Sequence, residues 1–554
     1  MKEVIANFLA KHANIDKDKI FNSIEIPPDS SLGDYAFPCF ILAREMKKSP
    51  VDIATLLSSE LAKKLPKEIS GVSAAGPYLN FFVDKRIFLE STINQILKEK
   101  EKYGCCKLGK AKKVLVEHTS LNPNSDPHVG RIRNSLIGDC LSRIMRFHGF
   151  NVETHFYIND VSKQVAMLVL KCNGKEKFHD LLKRYVEITK ELEKKPELER
   201  EVFALLEKFE KNEPETRKKF KNIVKIAVQG QKKILEELGI KFDKFDYESD
   251  YIAESGEILK NLEKTGRLFT DEEGRKVLDE KGFGLEQKMK ATVFVLARSD
   301  GTGLYPLRDI AYTIEKLGKA EKNILVLGED QKLYFEQVKA ALKILKHNAP
   351  EIVHYSYVLI QTKEGPAKMS TRKGELVLMS DFMKEAREKA EKEIKKRKTK
   401  GNAEKIGNGA IKFAMLRNDP NKNIVFDWDI ALNFEGESGP YLQYSYARAS
   451  SIMRKSKTKA PGKIKVVSLC EKEVELAKKM AEFPEVAEQV YNKMDPSLLA
   501  NYTFQLSQVF NEFYHTCPVL ESMEKEQRLG VVQAFMDVQK LALSLLGIEI
   551  MQEM

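Results

Sequence analysis

The stretch KKVLVEHTSLNPNSDPHVGRIRNSLIGD, residues 112–139, predicts a strand, a turn and a helix in immediate succession. KKVLVEH is short and apolar at its centre, and the NPNSDP that follows it breaks the chain. From Arg131 onward apolar residues recur every three or four positions, which indicates an amphipathic helix. Because a further strand pattern, NVETHFYI, follows at 151–158, the sequence predicts a βαβ unit with a parallel sheet.

The alternation of strand and helix continues along the chain. Strand patterns at 291–297 and 323–328 precede helical ones, and a third at 354–360 ends in a loop. A highly charged helical pattern at about 160–250 reads as an insertion. After about residue 430 the strand signals vanish, and four or five helical segments follow.

These patterns predict a multidomain α/β protein, in keeping with a length of 554 residues. We expect a Rossmann-like domain with a parallel sheet and a helical insertion, a small α+β domain before it and an all-α bundle after it. The predicted boundaries are 1–108 for the α+β domain, 109–380 for the Rossmann-like domain, 381–430 for a connecting helical segment and 431–554 for the bundle.

The chain carries a net charge of +11. An excess of cations suggests a polyanionic partner such as nucleic acid, but a solvated lysine-rich surface would give the same balance. No apolar run is long enough to cross a bilayer, and the first twenty residues resemble an ordinary helix more than a signal peptide. The seven cysteines show no zinc spacing, so we expect reduced thiols, no structural metal and a cytoplasmic protein.

His128 and Gly130 lie where the predicted first strand turns into the predicted helix. Such turns bind nucleotides in parallel-sheet folds, because the free N–H groups of a helix N-terminus attract phosphate. Gly130 would let a ligand approach the backbone, and His128 could donate to a phosphate oxygen. A capping histidine beside a flexible glycine is the alternative.

A second basic stretch, GPAKMSTRKGE at 365–375, follows the strand pattern at 354–360. It places three cations, Lys368, Arg372 and Lys373, beside hydroxyl groups and between glycines, which suits a clamp on a polyphosphate. The chain contains no GxxxxGK[ST] motif, so the stretch is not a P-loop. A basic surface loop is the alternative, although the order of the two motifs disfavours it.

Together the two motifs resemble the HIGH and KMSKS signatures of class I aminoacyl-tRNA synthetases. Further blocks, among them GDYAFPCF, VEHTSLNPN, LYPLRDIAY and FEGESGPYLQYSYARASSI, resemble the arginine-specific family over nearly the whole chain. The chain departs from the signatures at Arg131, which stands for the second histidine, and at Thr371, which stands for a lysine. We interpret Arg131 as facing phosphate, with a surface ion pair to Asp126 or Asp139 as the alternative.

The resemblance implies that the chain activates L-arginine with ATP and Mg²⁺, forming arginyl-adenylate and pyrophosphate, and then transfers arginine to tRNA(Arg). It also implies that activation requires tRNA. We expect a monomer with no membrane partner. The residues implied in ATP binding and catalysis are His128, Gly130, Arg131, Asn134, Lys368, Met369, Ser370, Arg372 and Lys373.

A guanidinium substrate needs planar acceptors. Asp309 follows Tyr305 by one helical turn, so both side chains share a helix face. The resemblance implies that Tyr305, Asp309 and the neighbourhood of Asp330 and Gln331 bind the guanidinium, and that Glu117 and Asn122 bind the other end of arginine. The alternatives are a salt bridge of Asp309 with Arg308 and core packing of Tyr305. Arginine is distinctive enough in charge and shape that no editing domain is required.

PYLQYSYARASSIMRK, residues 440–455, separates into two faces at helical spacing. One face is apolar, and the other presents Tyr441, Tyr444, Arg448 and Lys455, a pattern suited to stacking on bases and pairing with phosphates. A helix packed on both sides is the alternative. The resemblance implies that Tyr441, Tyr444, Arg448, Tyr514 and Met554 contact the anticodon region and that Asn80 contacts the tRNA elbow.

Two other functions are compatible with these motifs. One is a class I synthetase for another amino acid, such as cysteine, although the zinc ligands of the cysteine enzyme are absent. The other is a tRNA-binding paralogue that has lost ATP chemistry, which only Arg131 and Thr371 favour.

Overall fold

The computed structural model describes residues 1–13, 15–299, 301–362, 365–368 and 377–554, with backbone alone at 13, 30, 360–362 and 365–368. The chain divides into two compact units. The first unit comprises residues 1–103, 449–483 and 508–538. The second comprises residues 104–448, 484–507 and 539–554. The four domain boundaries given above stay a prediction.

The described residues form helices and strands over most of their length. The strands are β1 (Tyr35–Pro38), β2 (Ile69–Ala75), β3 (Tyr78–Val83), β4 (Lys113–Glu117), β5 (Asn151–Ile158), β6 (Lys244–Tyr247), β7 (Leu268–Thr270), β8 (Lys276–Asp279), β9 (Val293–Ala297), β10 (Lys322–Gly328), β11 (Glu351–Tyr355), β12 (Val358–Thr362), β13 (Gly365–Lys368) and β14 (Ile424–Phe426). The helices are α1 (Lys2–Ala13), α2 (Lys17–Ser23), α3 (Ala43–Met46), α4 (Pro50–Leu61), α5 (Lys85–Glu99), α6 (Val129–Phe147), α7 (Lys163–Lys171), α8 (Phe178–Lys194), α9 (Leu198–Glu210), α10 (Pro214–Glu237), α11 (Ile252–Glu263), α12 (Tyr305–Lys319), α13 (Lys332–Ile344), α14 (Met379–Arg397), α15 (Ala403–Leu416), α16 (Trp428–Ala431), α17 (Gly439–Ser456), α18 (Glu471–Ala481), α19 (Phe483–Lys493), α20 (Ser497–Thr516) and α21 (Lys525–Leu545).

The second unit is built on a five-stranded parallel sheet in the order β11-β10-β4-β5-β6. The central strands β4 and β10 have apolar, buried interiors, as expected of strands covered on both faces. The strand–helix–strand unit predicted from residues 112–158 is confirmed as β4-α6-β5. The Rossmann-like architecture is likewise confirmed.

Three strands lie elsewhere than simple alternation suggests. The pattern at 291–297 forms β9, which belongs to a small antiparallel sheet with β7 and β8. The pattern at 354–360 divides into β11 in the parallel sheet and β12 in a separate sheet with β13 and β14. The edge strand β6 falls inside the range assigned to the insertion. Periodicity identifies a strand but does not specify its neighbour, which depends on distant residues.

The insertion is otherwise helical as predicted, with α7 to α10. Five helices, α17 to α21, follow residue 434, and the described chain has no strand after β14. In the first unit, the N-terminal region contains both helices and strands, as expected of an α+β region, among them α4 and β3. They share an apolar core with β1 and β2. No helix of the described residues is long and apolar enough to span a membrane.

Helix α6 is anchored by the buried side chain of Arg133 in its first turns. Arg133 is 0% exposed, and its guanidinium donates five hydrogen bonds, all to main-chain carbonyl groups. The acceptors are Ser356, Met415, Asn418, Asp419 and Lys422. These bonds join α6 to the segments that precede β12 and β14. Burial lowers the pKa of Arg133 to about 10, so the group stays charged at neutral pH.

Candidate active site

A cavity of about 900 Å³ opens at the carboxyl end of the parallel sheet in the second unit. This is the edge at which open α/β sheets bind ligands. The cavity brings together eight residues that the sequence analysis singled out. They are Glu117, Asn122, His128, Arg131, Tyr305, Asp309, Asp330 and Gln331.

His128 is the N-cap residue of α6. The side chain makes no capping bond, which argues against the capping-histidine alternative, and its buried Nδ1 has no hydrogen-bond partner in the described structure. Burial lowers the pKa of His128 to about 4, and the nearby Arg131 contributes in the same direction. The imidazole is therefore neutral at pH 7 and retains one N–H to donate. Gly130 is the second residue of the same helix.

Arg131 points its guanidinium toward Asp330, with 3.8 Å between Nη2 and Oδ2. Both side chains are about one third exposed or more, so this pair contributes little to stability. The two carboxylates considered as alternative partners are engaged elsewhere. Asp126 accepts from Ser380, and Asp139 pairs with Arg143 at 2.7 Å. Arg131 is thus a cavity-lining cation held by a weak ion pair.

Asp309 lies beside a group of tyrosines. Its carboxylate accepts a hydrogen bond from the Tyr334 hydroxyl, and the Tyr305 and Tyr334 ring centroids are 5.2 Å apart. Burial raises the pKa of Asp309 to about 6; the Tyr334 hydrogen bond opposes the shift and the Glu117 charge adds to it. Tyr305 is 48% exposed, so core packing does not explain it.

The proposed alternative for Asp309, a salt bridge with Arg308, is wrong. Arg308 turns away from the cavity and donates from Nε to Glu248 at 2.6 Å. It also lies 3.6 Å from a second buried carboxylate, Glu210 of α9. Asp309 is therefore left to the cavity.

Glu117 ends β4 and accepts a hydrogen bond from the Nζ of Lys316. Asn122 is exposed and donates from Nδ2 to Gln164 Oε1 at 3.0 Å. Sequence reasoning missed Lys316 and Tyr334. Lys316 follows Asp309 by seven residues, two helical turns on one face, and that spacing could have identified it.

Asn134 does not fit its expected role in ATP binding, because its side chain does not reach the cavity. It is 1% exposed, and its Oδ1 accepts from the backbone N–H of Thr119 at 2.7 Å. Its Nδ2 donates to the carbonyl of Val326 at 2.9 Å. The amide thus ties the loop after β4 to β10 and has no free end for ATP. In the sequence, Asn134 looks like any other polar residue of an amphipathic helix, so the pattern does not indicate this role.

The basic stretch at 365–375 is only partly described. Lys368 ends β13, where its backbone pairs with Leu359, while Met369, Ser370, Thr371, Arg372 and Lys373 lie outside the described residues. The chain immediately after this stretch lies against the start of α6. The N–H of Val129 donates to Val377 at 3.1 Å, and the N–H of Met379 donates to Pro127 at 2.8 Å.

The residues expected to contact tRNA differ in exposure. Tyr444 and Arg448 are half-buried on α17, with the guanidinium carbon 4.7 Å from the ring centroid. Tyr441 is also half-buried, with its ring 5.5 Å from that of Phe504.

Three further residues expected to contact tRNA lie outside α17. Tyr514 is 38% exposed. Met554 packs on the apolar cluster that contains Phe434. Asn80 is 2% exposed within β3, so its side chain offers a nucleic acid almost no surface.

The described residues contain no cluster of three or more His, Cys, Asp or Glu side chains that could hold a metal ion. Six cysteines are buried or partly buried and Cys106 is exposed, and all seven are free thiols.

Family models match the chain in three consecutive parts. The model of the class I (R) tRNA synthetase catalytic domain matches residues 92–428. The arginyl-tRNA synthetase N-terminal domain matches residues 1–83, and the DALR anticodon-binding domain matches residues 442–554.

Relatives of known name match over their full length. An arginine–tRNA ligase of Methanocaldococcus jannaschii is 38% identical over 99% of this chain and 97% of its own. One from Clostridium botulinum is 35% identical over 100% of both chains.

Solved structures share the fold. Thermus thermophilus arginyl-tRNA synthetase has a TM-score of 0.81 at 28% identity, covering 100% of this chain and 99% of that one. A methionyl-tRNA synthetase of Mycobacterium tuberculosis reaches 0.52 at 12% identity over 79% and 91%, which shows the fold alone. Since a catalytic-domain model covers more than half of the sequence and full-length relatives reach 35–38% identity, the chain belongs to the class I arginyl-tRNA synthetases.

Proposed function

We propose that the cavity at the carboxyl end of the sheet is where this arginine–tRNA ligase activates L-arginine with ATP. One observation carries the proposal: acceptors suited to a guanidinium, Tyr305 and Asp309, line the same cavity as donors suited to phosphate, His128 and Arg131. The two substrates would therefore meet in one water-accessible space. The arginine specificity of the family decides against a cysteine enzyme.

In the first step a carboxylate oxygen of arginine attacks the α-phosphorus of ATP, and pyrophosphate leaves with the electrons of the broken P–O bond. Catalysis of such a step consists mainly of positioning and charge neutralisation. Neutral His128 donates its N–H to a phosphate oxygen, and Arg131 swings from Asp330 to the phosphates. Gly130 at the start of α6 lets the phosphates approach the helix N-terminus. Mg²⁺ enters with ATP.

The guanidinium lies between Tyr305 and Asp309, with Asp330 and Gln331 at its rim. Ionised Asp309 supplies a planar acceptor for two N–H groups. Glu117 and Asn122 bind the ammonium and carboxylate end of arginine, which directs the carboxylate toward His128.

The basic stretch would close over the triphosphate from the other side. The pairing of residues 377–379 with 127–129 supports this, because it holds the chain that follows the stretch beside the nucleotide-binding turn. The residues assigned to this clamp are Lys368, Met369, Ser370, Arg372 and Lys373. Asn134 supports the site through the loop after β4 and does not bind ATP itself.

In the second step a ribose hydroxyl of the tRNA 3′ end attacks the arginyl carbonyl, and AMP leaves. Tyr441, Tyr444 and Arg448 of α17 suit an anticodon-binding surface, because aromatic rings stack on unpaired bases and a guanidinium meets phosphate. Tyr514 offers a further exposed ring. Met554 contributes through backbone or packing, because its side chain is partly engaged in an apolar cluster.

Asn80 would need a rearrangement of β3 to touch the tRNA elbow, so we assign the elbow contact to the surface around that strand. We further propose that the enzyme acts as a cytoplasmic monomer that needs no metal of its own beyond the Mg²⁺ of its nucleotide.

Exchange of labelled pyrophosphate into ATP tests the proposal and separates it from a non-catalytic paralogue. Exchange should depend on arginine and on tRNA(Arg), and replacement of arginine by citrulline should abolish it. A protein that binds tRNA(Arg) but shows no arginine-dependent exchange would be a paralogue without ATP chemistry.

A further inference from the structure

Lys316 is a buried cation inside the arginine end of the cavity. It lies on α12, two turns after Asp309, and its side chain is 2% exposed. A buried ammonium group is costly unless a partner compensates it. The partner is Glu117, whose carboxylate accepts from Lys316 Nζ.

The lysine also contacts an aromatic ring. Its Nζ lies 4.0 Å from the ring centroid of Tyr312, close enough for a cation–π interaction. The Tyr312 hydroxyl donates to Asp246 at 2.8 Å, and its ring stacks on Tyr157 with 4.3 Å between centroids. The ammonium group therefore cannot swing away into solvent as a surface lysine can.

Two carboxylates share this end of the cavity with the lysine. Both Glu117 and Asp309 line it, and their charges act on each other, since Glu117 raises the pKa of Asp309 while Lys316 lowers it. With both carboxylates ionised, the three groups carry a net charge of −1. Arginine itself carries +1, from two cations and one carboxylate, so these three groups and a bound arginine are neutral together.

We propose that Lys316 is a positioning residue that fixes the Glu117 carboxylate and sets the charge of the arginine subsite to match that of arginine. This inference rests on the proposed assignment of the cavity. Without Lys316, two neighbouring carboxylates would repel each other, and Glu117 would lose the contact that orients it.

The first test compares two lysines of one helix. Lys316→Met keeps most of the aliphatic stem and removes the charge. Lys319→Met does the same one turn later, where the lysine is 36% exposed and paired with Glu315 on the surface. In arginine-dependent pyrophosphate exchange with tRNA present, Lys316→Met should raise the KM for arginine at least about tenfold. The KM for ATP should stay within about twofold, and Lys319→Met should behave as wild type. An unchanged arginine KM in folded Lys316→Met would overturn the proposal.

The second test covers the case in which Lys316→Met does not fold, because a glutamine at position 117 leaves no buried charge without its lysine partner. Glu117→Gln leaves Asp309 and Lys316 with no net charge, and adding Lys316→Met to it returns the subsite to −1. The double variant should therefore have a lower arginine KM than Glu117→Gln alone. A double variant that is tenfold worse than Glu117→Gln would refute charge matching. If the wild-type enzyme showed no arginine-dependent exchange, the assignment of the cavity itself would fail, a result distinct from either outcome for Lys316.

Discussion

At the scale of single residues, Asp309 combines two properties that a guanidinium site requires. It is shielded enough that its pKa rises to about 6, and it lines a cavity without an ion pair to Arg308. The neighbouring Arg308 would have neutralised it but is engaged by Glu248. The negative charge is therefore kept available for a ligand.

Replacing Asp309 with asparagine keeps the size of the side chain and removes its charge. We expect a large rise in the KM for arginine, since truncating one partner of a buried charge pair costs about 2–5 kcal/mol. The KM for ATP should barely change, and discrimination against citrulline should fall. Steady-state exchange with both amino acids measures this. Equal increases in the two KM values would place the guanidinium elsewhere, with Asp330 as the next candidate.

The same carboxylate predicts a pH dependence. Only ionised Asp309 attracts the guanidinium, so kcat/KM for arginine should rise as the pH increases through about 6. Tyr334→Phe removes a hydrogen bond that favours the ionised form, so the inflection should move to higher pH. The profile for kcat/KM of ATP serves as the control. An inflection that stays in place in Tyr334→Phe would show that another group titrates.

Arg131 offers a test of its role as a phosphate contact. Arg131→Ala should lose most of the activation rate, whereas Arg131→His, which restores the residue usual in the HIGH signature, should keep a substantial part. The ion pair with Asp330 is too exposed to explain a large effect, since such pairs contribute about 0–1 kcal/mol. Single-turnover adenylate formation is the measurement. Near-wild-type kinetics for the alanine variant would show that Arg131 is only a surface ion-pair residue and does not contact phosphate.

At the scale of secondary-structure elements, α6 holds the nucleotide-binding turn because its polar residues are used internally. Arg133 donates to five main-chain carbonyls, and Asn134 bridges the loop after β4 to β10. His128 and Arg131 thus project from a helix whose first turns are fixed to four other segments. Preorganisation of this kind is what a positioning mechanism needs.

Arg133→Lys tests that anchoring. Lysine keeps the charge but has three donors in place of five, so carbonyl groups would be left buried without partners. We expect the free energy of unfolding of the second unit to fall by about 3 kcal/mol or more. Arg146→Lys on the same helix, where the arginine is 41% exposed, should cost less than about 1 kcal/mol. Urea unfolding compares the two, and equal midpoints would mean that the five bonds contribute little.

Sequence patterns predicted those elements whose signal is local. The β4-α6-β5 unit, the helical insertion and the C-terminal helices follow from periodicity and chain breakers, and the clustering of the cavity residues follows from their place at strand ends. The partners of β9 and β12, and the internal role of Asn134, were out of reach. They depend on which distant segment packs nearby, and no local period records that.

At the scale of the whole molecule, the net charge of +11 fits a protein that binds a polyanion. The salt dependence of tRNA(Arg) affinity separates the contribution of a charged residue from that of an aromatic residue. Arg448→Ala should weaken tRNA(Arg) binding and lower the slope of log K against log salt by about 1. Tyr444→Ala should lose about 1–3 kcal/mol of stacking with the slope unchanged. Filter binding over a range of salt concentrations measures both. Unchanged affinities with lower melting temperatures would instead assign both residues to packing.

The five main-chain carbonyl groups that bind Arg133 also affect what happens when the chain is cut by a protease. The exposed loop at 398–402 connects α14 to α15 and offers lysines to a trypsin-like protease. A cut there would leave Arg133 in one fragment and four of its five acceptors in the other. The pairing of β12 with β14 would span the same break. The cleaved enzyme would therefore migrate as two bands under denaturing conditions, while the region around Arg133, β12 and β14 stayed assembled. Cleavage at this loop would then not imply loss of activity.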